Sequence, residues 1–207
     1  MSYIIVALGN PGAEYENTRH NTGRIVLDVF AKANDFPEFA PDKKFKALIS
    51  EGKVGKTSVL LLEPESFMNN SGESLKKIKD FKFKLSGKGK DKIKEVTNLA
   101  VIHDDLDIPF GSYKISFNKS SGGHRGVESI IKAVKTQAFV RIRVGIASSS
   151  SVVKKSQDEE TVNKVILGKF SPDQMAELKK LSKSVSPALS VLLVDGREKA
   201  MSQQGSY

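Results

Sequence analysis

Short apolar runs alternate along this chain with segments of helical periodicity, and this alternation narrows the possible folds more than any other feature. Tyr3–Leu8 is an apolar run closed by a turn signal, Gly9-Asn10-Pro11-Gly12. Apolar residues at 25, 26, 29, 30 and 33 then recur at helical spacing, with Asn34 as the predicted stop. Leu99–His103 and Phe139–Ala147 are further strand-like runs. Strands that alternate with helices predict an α/β fold with a mixed, mostly parallel sheet.

Turn signals set the predicted limits of the other strands and loops. Lys44–Glu51 and Thr57–Glu63 flank a short Gly- and Lys-containing turn, which predicts a hairpin. The strand Leu99–His103 is expected to end before the acidic run 104–107. Ser148–Glu160 is expected to be a polar loop.

Two later helices are predicted, the first from its apolar residues and the second from capping signals. One should begin near Ser71 and carry Leu75 on its apolar face. The last should begin at Pro172 with Ser171 as its N-cap. Because proline lacks a backbone N–H, Pro187 is expected to kink or divide that helix.

Composition excludes several classes of protein. The chain has 207 residues and no evident linker, so residues 1–207 are expected to form one domain. No apolar run approaches the roughly 20 residues that span a bilayer, so no membrane partner is expected. The chain has no cysteine, which excludes disulfide frameworks, thiolate metal sites and cysteine nucleophiles.

Positive charge is concentrated in one segment. The net charge is +9, and residues 76–94 hold nine lysines against two aspartates. A Lys-rich insertion is predicted at about 84–98, which overlaps this segment. A concentrated basic patch attracts polyanions such as nucleic acid, but it is also typical of a solvated surface segment. Charge alone does not decide between them.

All three histidines lie in or beside loops that follow predicted strands, where the ligands of such sheets bind. His20 precedes the first helix. His103 ends a strand and is expected to be partly buried and structural. His124 lies in the Gly-rich loop Ser120–Gly126, where it could contact a ligand. Imidazole, with an ordinary pKa near 6.5, is the commonest general base.

The acidic run after the strand leaves three interpretations open. Asp104, Asp105 and Asp107 could bind a divalent metal ion, because clustered carboxylates suit hard cations. One of them could orient a catalytic histidine and stabilise its imidazolium. The run could also be an acidic turn without a chemical role.

Four segments together narrow these possibilities. They are Gly9-Asn10-Pro11-Gly12-Ala13-Glu14-Tyr15 with Thr18-Arg19-His20-Asn21; Pro64-Glu65-Ser66-Phe67-Met68-Asn69-Asn70-Ser71-Gly72; His103-Asp104-Asp105-Leu106-Asp107-Ile108-Pro109; and Ser121-Gly122-Gly123-His124-Arg125-Gly126. Each is modest alone. In this order, from about residue 3 to residue 200, the chain closely resembles the bacterial-type peptidyl-tRNA hydrolase family.

The resemblance implies a single α/β domain with a twisted sheet surrounded by helices. It implies hydrolysis of the ester that joins a peptide, or an N-blocked amino acid, to the 3′ end of tRNA. Peptidyl-tRNA is then the partner, no metal or cofactor is implied, and we expect a monomer. The expected location is the cytoplasm, with the mitochondrion as the alternative.

Site residues follow from the same resemblance. His20 matches the family's catalytic base, and Asp104 the carboxylate that supports it. Arg143 resembles a basic position that holds tRNA phosphate. Asn10 matches the residue that discriminates blocked from free aminoacyl groups. The positions that match the lining of the substrate site, with the two loop residues expected to join them, are Asn10, Tyr15, Phe67, Met68, Asn69, His124 and Arg125.

Two departures from the family pattern stand out. Arg125 replaces the asparagine usual in the Gly-Gly-His-Asn-Gly loop, so a charged donor replaces a neutral amide. We expect it to contact the substrate's 3′-terminal region; the alternative is an ion pair with Asp104, Asp105 or Glu128. The Lys-rich stretch is also longer than usual. Ser116 stands where bacterial members often carry a phosphate-binding lysine, for which Lys119 or the insertion could substitute.

Two other functions remain open. The chain could be an RNA-binding paralogue that has lost hydrolysis, although the matched site residues favour an enzyme. It could also be a metal hydrolase that uses His103 and the carboxylates of 104–107.

Overall fold

Nine strands form much of the scaffold in the computed structural model, which describes residues 2–87, 89, 92–147 and 159–202. The predicted hairpin is confirmed, although its first strand begins at Ala47 rather than Lys44. In chain order the strands are β1 (Tyr3–Ala7), β2 (Ala40–Asp42), β3 (Ala47–Val54), β4 (Thr57–Pro64), β5 (Phe83–Ser86), β6 (Ile93–Val96), β7 (Leu99–Pro109), β8 (Tyr113–Phe117) and β9 (Val140–Ala147).

Helices pack around these strands in the described ranges. The α-helices are α1 (Thr22–Ala33), α2 (Arg125–Val134), α3 (Glu159–Ile166), α4 (Pro172–Val194) and α5 (Arg197–Ser202). Three 3-10 helices cover Ala13–Tyr15, Arg19–Asn21 and Met68–Lys77. None of the helices in the described part of the chain is both long enough and apolar enough to cross a membrane.

Seven strands form one mixed sheet in the order β2-β3-β4-β1-β7-β9-β8. Its four central strands, β4, β1, β7 and β9, pair in parallel, and antiparallel pairs flank them. β5 and β6 form a separate two-stranded hairpin. The predicted α/β fold, with a mixed sheet flanked by helices, is confirmed. The sheet is not mostly parallel as predicted, because among the described residues three of its six strand pairs are parallel and three, toward the edges, are antiparallel.

Both faces of the sheet are covered, because side chains along the central strands alternate between two hydrophobic clusters. In β1, Ile5 and Ala7 join the cluster that includes residues of α1 and α4. Ile4 and Val6 join the cluster that includes residues of α2. All four are buried. A strand buried on both faces needs apolar residues throughout, which explains the continuous runs in the sequence.

The beginning of α1 lies directly against the ends of two central strands. A Cβ on Gly23 would lie 2.6 Å from the backbone oxygens of both Leu8 and Ile102, so only glycine permits this approach. The predicted stop at Asn34 is confirmed, since that residue caps the helix. This packing brings His20, just before α1, to the carboxyl edge of the sheet.

β7 is longer than predicted. It continues through Asp104 and Asp105 to Pro109, where the sequence predicted an acidic loop. The extension pairs with β9, and Asp105 lies opposite Gly145. A Cβ on Gly145 would lie 2.0 Å from the backbone oxygen of Pro109, so the missing side chain allows the two strands to meet. Pairing with a neighbour that sequence patterns do not show thus outweighs the low β-propensity of aspartate.

The predictions of a helix near Ser71 and of a last helix from Pro172 are partly correct. The segment expected to begin near Ser71 is a 3-10 helix that begins at Met68. Ser171 caps α4 in a capping box, as predicted. Pro187 does not divide α4, which continues to Val194. Val185 and Leu189, on either side of the proline, are fully buried in the same cluster, so tertiary packing carries the helix through.

Two predicted stretches lie partly outside the described residues. Of the predicted loop 148–160, residues 148–158 lie outside them, and Glu159 and Glu160 begin α3 instead. Within the Lys-rich insertion, residues 88, 90 and 91 lie outside them as well. The rest of that insertion includes most of the β5–β6 hairpin.

A buried carboxyl group lies near the end of β4. Oε1 of Glu63 has no hydrogen-bond partner among the described residues. The guanidinium of Arg24 approaches its other oxygen only to 4.0 Å and binds instead the Pro64 carbonyl and, at 3.0 Å, Glu65. Burial and the nearby carboxylate of Asp28 raise the pKa of Glu63 to about 8, from an ordinary 4.5.

We expect the unaltered chain to lose stability as pH rises from about 5 to 8. Glu63→Gln should remove this loss. In this window the folded state keeps the Glu63 proton whereas the unfolded state has released it, so rising pH favours unfolding. Between pH 5 and pH 8 the variant should gain about 1–3 kcal/mol of unfolding free energy relative to the unaltered chain. Denaturant unfolding at the two pH values measures this. The partly exposed Glu65, changed to Gln, is the matched control, and equal pH dependence with and without Glu63 would contradict the raised pKa.

Candidate active site

A cleft of about 740 Å³ opens at the carboxyl ends of β1 and β7. Parallel strands end at one edge of a sheet, so the loops that follow them meet there. Every site residue predicted from the sequence lines this cleft: Asn10, Tyr15, His20, Phe67, Met68, Asn69, Asp104, His124, Arg125 and Arg143.

His20 and Asp104, predicted as a pair, are in direct contact. Nδ1 of His20, on the 3-10 helix Arg19–Asn21, lies 2.9 Å from Oδ1 of Asp104 on β7. Both residues are buried, with 7% and 3% of their surfaces exposed. Because a carboxylate oxygen only accepts, Nδ1 of His20 carries the proton and Nε2 keeps its lone pair. In this tautomer Nε2 can accept a proton from water.

His124 supplies a second donor to the same carboxylate oxygen. Its Nε2 lies 3.0 Å from Oδ1 of Asp104. Its Nδ1 caps α2 by accepting the N–H of Val127 at 3.3 Å. Nδ1 therefore carries no proton, and Nε2 donates to the aspartate. The His20 and His124 rings stand on either side of one oxygen, with centroids 5.0 Å apart.

Asp104 is ionised in this setting. Burial alone would raise the pKa of Asp104, but the two histidine donors outweigh burial and hold the pKa of Asp104 well below its ordinary range. A fixed negative charge consequently lies in contact with His20. That charge would stabilise the imidazolium formed when Nε2 takes a proton.

His103, expected to be partly buried, is fully buried. Its Nδ1–H donates to the backbone carbonyl of Asp104 at 2.7 Å, and its Nε2 has no partner among the described residues. Burial and the nearby His124 lower the pKa of His103 well below its ordinary value, so the ring is neutral. The two rings meet edge to face with centroids 4.8 Å apart, so His103 supports the orientation of His124.

The structure does not assemble the metal site considered from the sequence. His103 is committed to a backbone carbonyl, Asp105 binds Arg143, and Asp107 is exposed. Successive side chains of a strand point to opposite faces, which separates neighbours that the sequence places together.

A different set of side chains resembles a metal-binding group more closely. Among the described residues, donor atoms of His20, Asp104 and His124 lie within 4.8 Å of one another. Metal ligation requires free lone pairs on all three. Both nitrogens of His124 are committed, since Nε2 carries a proton directed at Asp104 and Nδ1 accepts the N–H of Val127. The three groups therefore satisfy one another through hydrogen bonds, and their protonation does not suit a metal ion.

Asn10 is held in place by a residue that the sequence did not single out. The side chain of Asn21 pairs with the backbone of Asn10, accepting its N–H at 2.8 Å and donating to its carbonyl at 2.9 Å. Oδ1 of Asn10 accepts the N–H of Met68 at 2.8 Å. Nδ2 of Asn10 is thus the amide group left for a ligand. Asn21 belongs to the Thr18–Asn21 motif, which was the only signal in the sequence.

Aromatic side chains form one lip of the cleft. Phe67 is 58% exposed and meets Tyr15 edge to face, with ring centroids 6.3 Å apart. Met68 is buried behind it, where a Cβ on Gly126 would lie 2.4 Å from its Sδ. The exposed Asn69 follows on the rim. An exposed aromatic ring beside a cleft offers a surface to a ligand.

Cationic side chains line another part of the cleft, and they are Lys119, Arg125, Arg141 and Arg143. Nε of Arg143 donates to Oδ2 of Asp105 at 2.7 Å. Arg125 forms an ion pair with Glu159 of α3, and both side chains are largely exposed. None of the three partners considered for Arg125 from the sequence is the one observed.

Arg141 is a site residue that sequence reasoning missed. It is buried on β9 opposite Ser116 of β8, and its Nε has no partner among the described residues. Burial and the nearby Arg143 lower the pKa of Arg141 to about 10, so the guanidinium is still charged at neutral pH. Ser116 is buried, whereas Lys119, proposed as a substitute for the missing lysine, lines the cleft.

Helix α3 lines one side of the cleft. Its first two residues lie in the stretch predicted to be a loop. Its lining residues, with the one that follows it, are Glu159, Val162, Asn163, Ile166 and Leu167. The last four recur at helical spacing. That spacing indicates a helix in the sequence. The polar residues before it favoured a loop, so the beginning of the helix at Glu159 was not predicted.

A histidine–aspartate pair in a cleft at the carboxyl edge of an α/β sheet is an arrangement suited to general-base catalysis, and it is consistent with a hydrolytic enzyme. A family model described as peptidyl-tRNA hydrolase matches residues 4–206. The chain belongs to this family.

Individual relatives agree. The chain is 38% identical over 194 residues to a peptidyl-tRNA hydrolase from Alkaliphilus oremlandii, covering 94% of each. It is 36% identical over 205 residues to one from Trichormus variabilis, covering 99% of this chain and 90% of the relative. The crystal structure of peptidyl-tRNA hydrolase from Acinetobacter baumannii matches with a TM-score of 0.78 at 26% identity, covering 100% of this chain and 95% of that one.

Proposed function

We propose that this chain hydrolyses the ester bond between peptide and tRNA with water activated by His20. The hydrogen bond from Nδ1 of His20 to Asp104 carries the proposal, because it leaves Nε2 as a base inside the cleft. Family membership supplies the substrate class, peptidyl-tRNA. The cationic side chains of the cleft suit a polyanionic substrate.

The reaction needs two proton movements. Nε2 of His20 takes a proton from water as the oxygen attacks the ester carbonyl carbon, and a tetrahedral intermediate forms. The imidazolium, stabilised by Asp104, then returns that proton to the departing ribose hydroxyl as the carbon–oxygen bond breaks. The free acid of the peptide and deacylated tRNA leave. General-base catalysis of this kind contributes about 10²–10⁴-fold to the rate.

The negative oxygen of the intermediate needs hydrogen-bond donors. The sequence suggested the Asn69 amide or backbone N–H groups of Phe67–Asn69. The N–H of Met68 is already bound to Asn10, so it is not the donor. The Asn69 side chain, exposed on the cleft rim, is the group we assign to this role. One such donor is worth roughly 3 kcal/mol of transition-state stabilisation.

Asn10 has a different role, recognition of the N-blocked peptide. Its Nδ2–H can donate to the carbonyl of a peptide or N-acyl group, which a free ammonium lacks. Tyr15, Phe67 and Met68 supply apolar surface to the peptide side chains. Arg143 and Lys119, on the cationic part of the cleft, face the tRNA phosphates.

Release of peptide from purified peptidyl-tRNA by the purified chain tests this function. We expect multiple turnovers without added metal. Binding of the tRNA without release would indicate the RNA-binding paralogue and overturn the proposal.

We expect Asn21→Ala to weaken discrimination between N-acetyl-aminoacyl-tRNA and free aminoacyl-tRNA. Losing two hydrogen bonds to the Asn10 backbone frees that residue to move, and kcat/KM for the blocked substrate should fall about tenfold or more. The ratio of the two kcat/KM values measures the effect. Arg24→Ala, on the same wall behind Asn10, is the matched control. A proportional loss on both substrates would show that Asn21 is only structural.

We expect Arg125→Asn to raise KM for peptidyl-tRNA about three- to tenfold with an unchanged Tm. The Arg125–Glu159 ion pair is exposed, so its loss should change stability by less than about 1 kcal/mol. Substrate phosphate can compete for this guanidinium. Glu159→Gln frees Arg125 and should leave KM equal or lower. A fall in Tm with unchanged KM would assign Arg125 a structural role instead.

Oligomeric state and location stay predictions. We propose a monomer that works in the cytoplasm, as expected for a chain whose relatives are bacterial, with the mitochondrion as the alternative.

A further inference from the structure

We propose that the β5–β6 hairpin and the residues leading into it form a second RNA-contacting surface, at the opposite end of the sheet from the cleft. This basic hairpin surface consists of Lys77, Lys79, Lys82, Lys84, Lys92 and Lys94. All six side chains are exposed, and none forms an ion pair among the described residues. The inference rests on the proposed function, since it takes the bound RNA to be the body of the tRNA substrate.

Little negative charge offsets these lysines. Glu95 of β6 is buried and bound to Arg197 at 3.3 Å, so its charge is neutralised within the fold. The exposed carboxylates near the six lysines are Asp80 and Glu198 of α5, which interacts electrostatically with Lys84 and is hydrogen-bonded to Arg197. A dense, unpaired set of ammonium groups binds phosphates by releasing counterions, which gives affinity without sequence preference.

The hairpin holds its lysines on an ordered scaffold. Residues paired across the hairpin share a face, so Lys84, opposite Glu95, and Lys94, opposite Leu85, project from its two faces, and the basic hairpin surface wraps around the hairpin. Nζ of Lys94 lies 3.9 Å from the centre of the Phe83 ring, which restricts the ammonium while leaving it exposed. Val96, at the base of β6, is buried, and its N–H donates to the Ala138 carbonyl at 2.8 Å.

The position of this surface determines which part of the RNA can reach it. β6 ends just before β7 begins at Leu99, five residues from Asp104. At about 3.3 Å per residue, the strand from Leu99 to Asp104 spans about 17 Å, so the surface lies at least about this far from the reacting ester. Along one strand of a helix, successive phosphates are about 3.4 Å apart on the axis. The surface would therefore face phosphates at least about five nucleotides from the 3′ end.

Two substrates separate this surface from the active site. One is full-length N-acetyl-aminoacyl-tRNA, and the other is an N-acetyl-aminoacylated trinucleotide that is too short to reach the hairpin. The test variant carries Lys82→Gln, Lys84→Gln and Lys94→Gln. The matched control carries Lys179→Gln, Lys180→Gln and Lys183→Gln, three exposed lysines of α4.

For the hairpin variant we expect KM on the full-length substrate to rise at least fivefold, with kcat unchanged and both constants unchanged on the trinucleotide. The slope of log affinity for tRNA against log salt should fall by about 2, because each lost phosphate contact removes about 0.7–0.9. The control variant should behave like the unaltered chain. Equal KM and equal salt slopes in the hairpin variant would overturn the inference, and would point to a solvated surface or a protein partner. If the unaltered chain cleaves neither substrate, the proposed function fails instead.

Discussion

Replacing His20 by alanine should lower kcat on peptidyl-tRNA by at least about 100-fold while affinity for tRNA changes by less than about twofold. In the proposed mechanism His20 supplies the base at Nε2, and general-base catalysis accounts for about 10²–10⁴-fold. Among the described residues, its buried side chain binds Asp104 and lies against the His124 ring. We propose that other residues bind the tRNA phosphates, so binding should persist. Single-turnover cleavage gives the rate, and fluorescence anisotropy with deacylated tRNA gives the affinity.

The fold of this variant can be checked independently. α1 begins after His20 and packs through Gly23, so circular dichroism should change little, whereas Tm should fall because the buried Asp104 carboxylate loses one of its two histidine donors. Near-normal turnover by a folded His20→Ala variant would remove His20 from the mechanism. Loss of tRNA binding together with turnover would mean that His20 acts in substrate binding.

Asp104→Asn should have the second largest effect, a loss of about 100-fold or more in kcat. Oδ1 of Asp104 accepts N–H donors from both His20 and His124. An asparagine lacks the negative charge that stabilises the imidazolium. If its NH₂ group faces His20, Nδ1 must become the acceptor and Nε2 carries the proton, which is the wrong tautomer for a base. Rapid-quench cleavage measures the loss.

The pH dependence of stability provides a second readout for Asp104. Because its pKa is held below the ordinary 3.8, the ionised form contributes stability above about pH 4 that is lost as pH falls. Asp104→Asn should therefore lower Tm at pH 7, and by less at pH 3. The exposed Asp107, changed to Asn, is the control. A kcat within a few-fold of the unaltered chain, or an equal change in Tm at both pH values, would contradict this assignment.

The sequence alone determined the α/β class and the edge of the sheet where the site lies. Strands buried on both faces require continuous apolar runs, and β1 satisfies this with Tyr3–Ala7. Loops that follow parallel strands converge, so His20 and Asp104 could be expected at one edge. His124 follows the antiparallel strand β8, and its loop returns to this edge only in the tertiary structure. The match of individual residues to the family motifs also comes from the sequence alone. Every site residue predicted in this way lines the cleft.

Only the tertiary structure decided the contacts among those residues. Strand alternation along β7 separates the side chains of His103 and Asp104. His124 is 20 positions from Asp104, and only the fold brings its Nε2 within 3.0 Å of the carboxylate. Asn21 reaches Asn10 across a loop, and Arg125 meets Glu159 across 34 positions. Such contacts depend on where separate segments pack.

The same reason explains the errors in the element limits. β7 continues through its aspartates because β9 pairs beside it, and α4 continues through Pro187 because buried residues on both sides share one core. Local propensities describe what a segment prefers by itself. Backbone pairing and apolar burial between distant segments outweigh those preferences, and the sequence of a single segment carries no record of its neighbours in space.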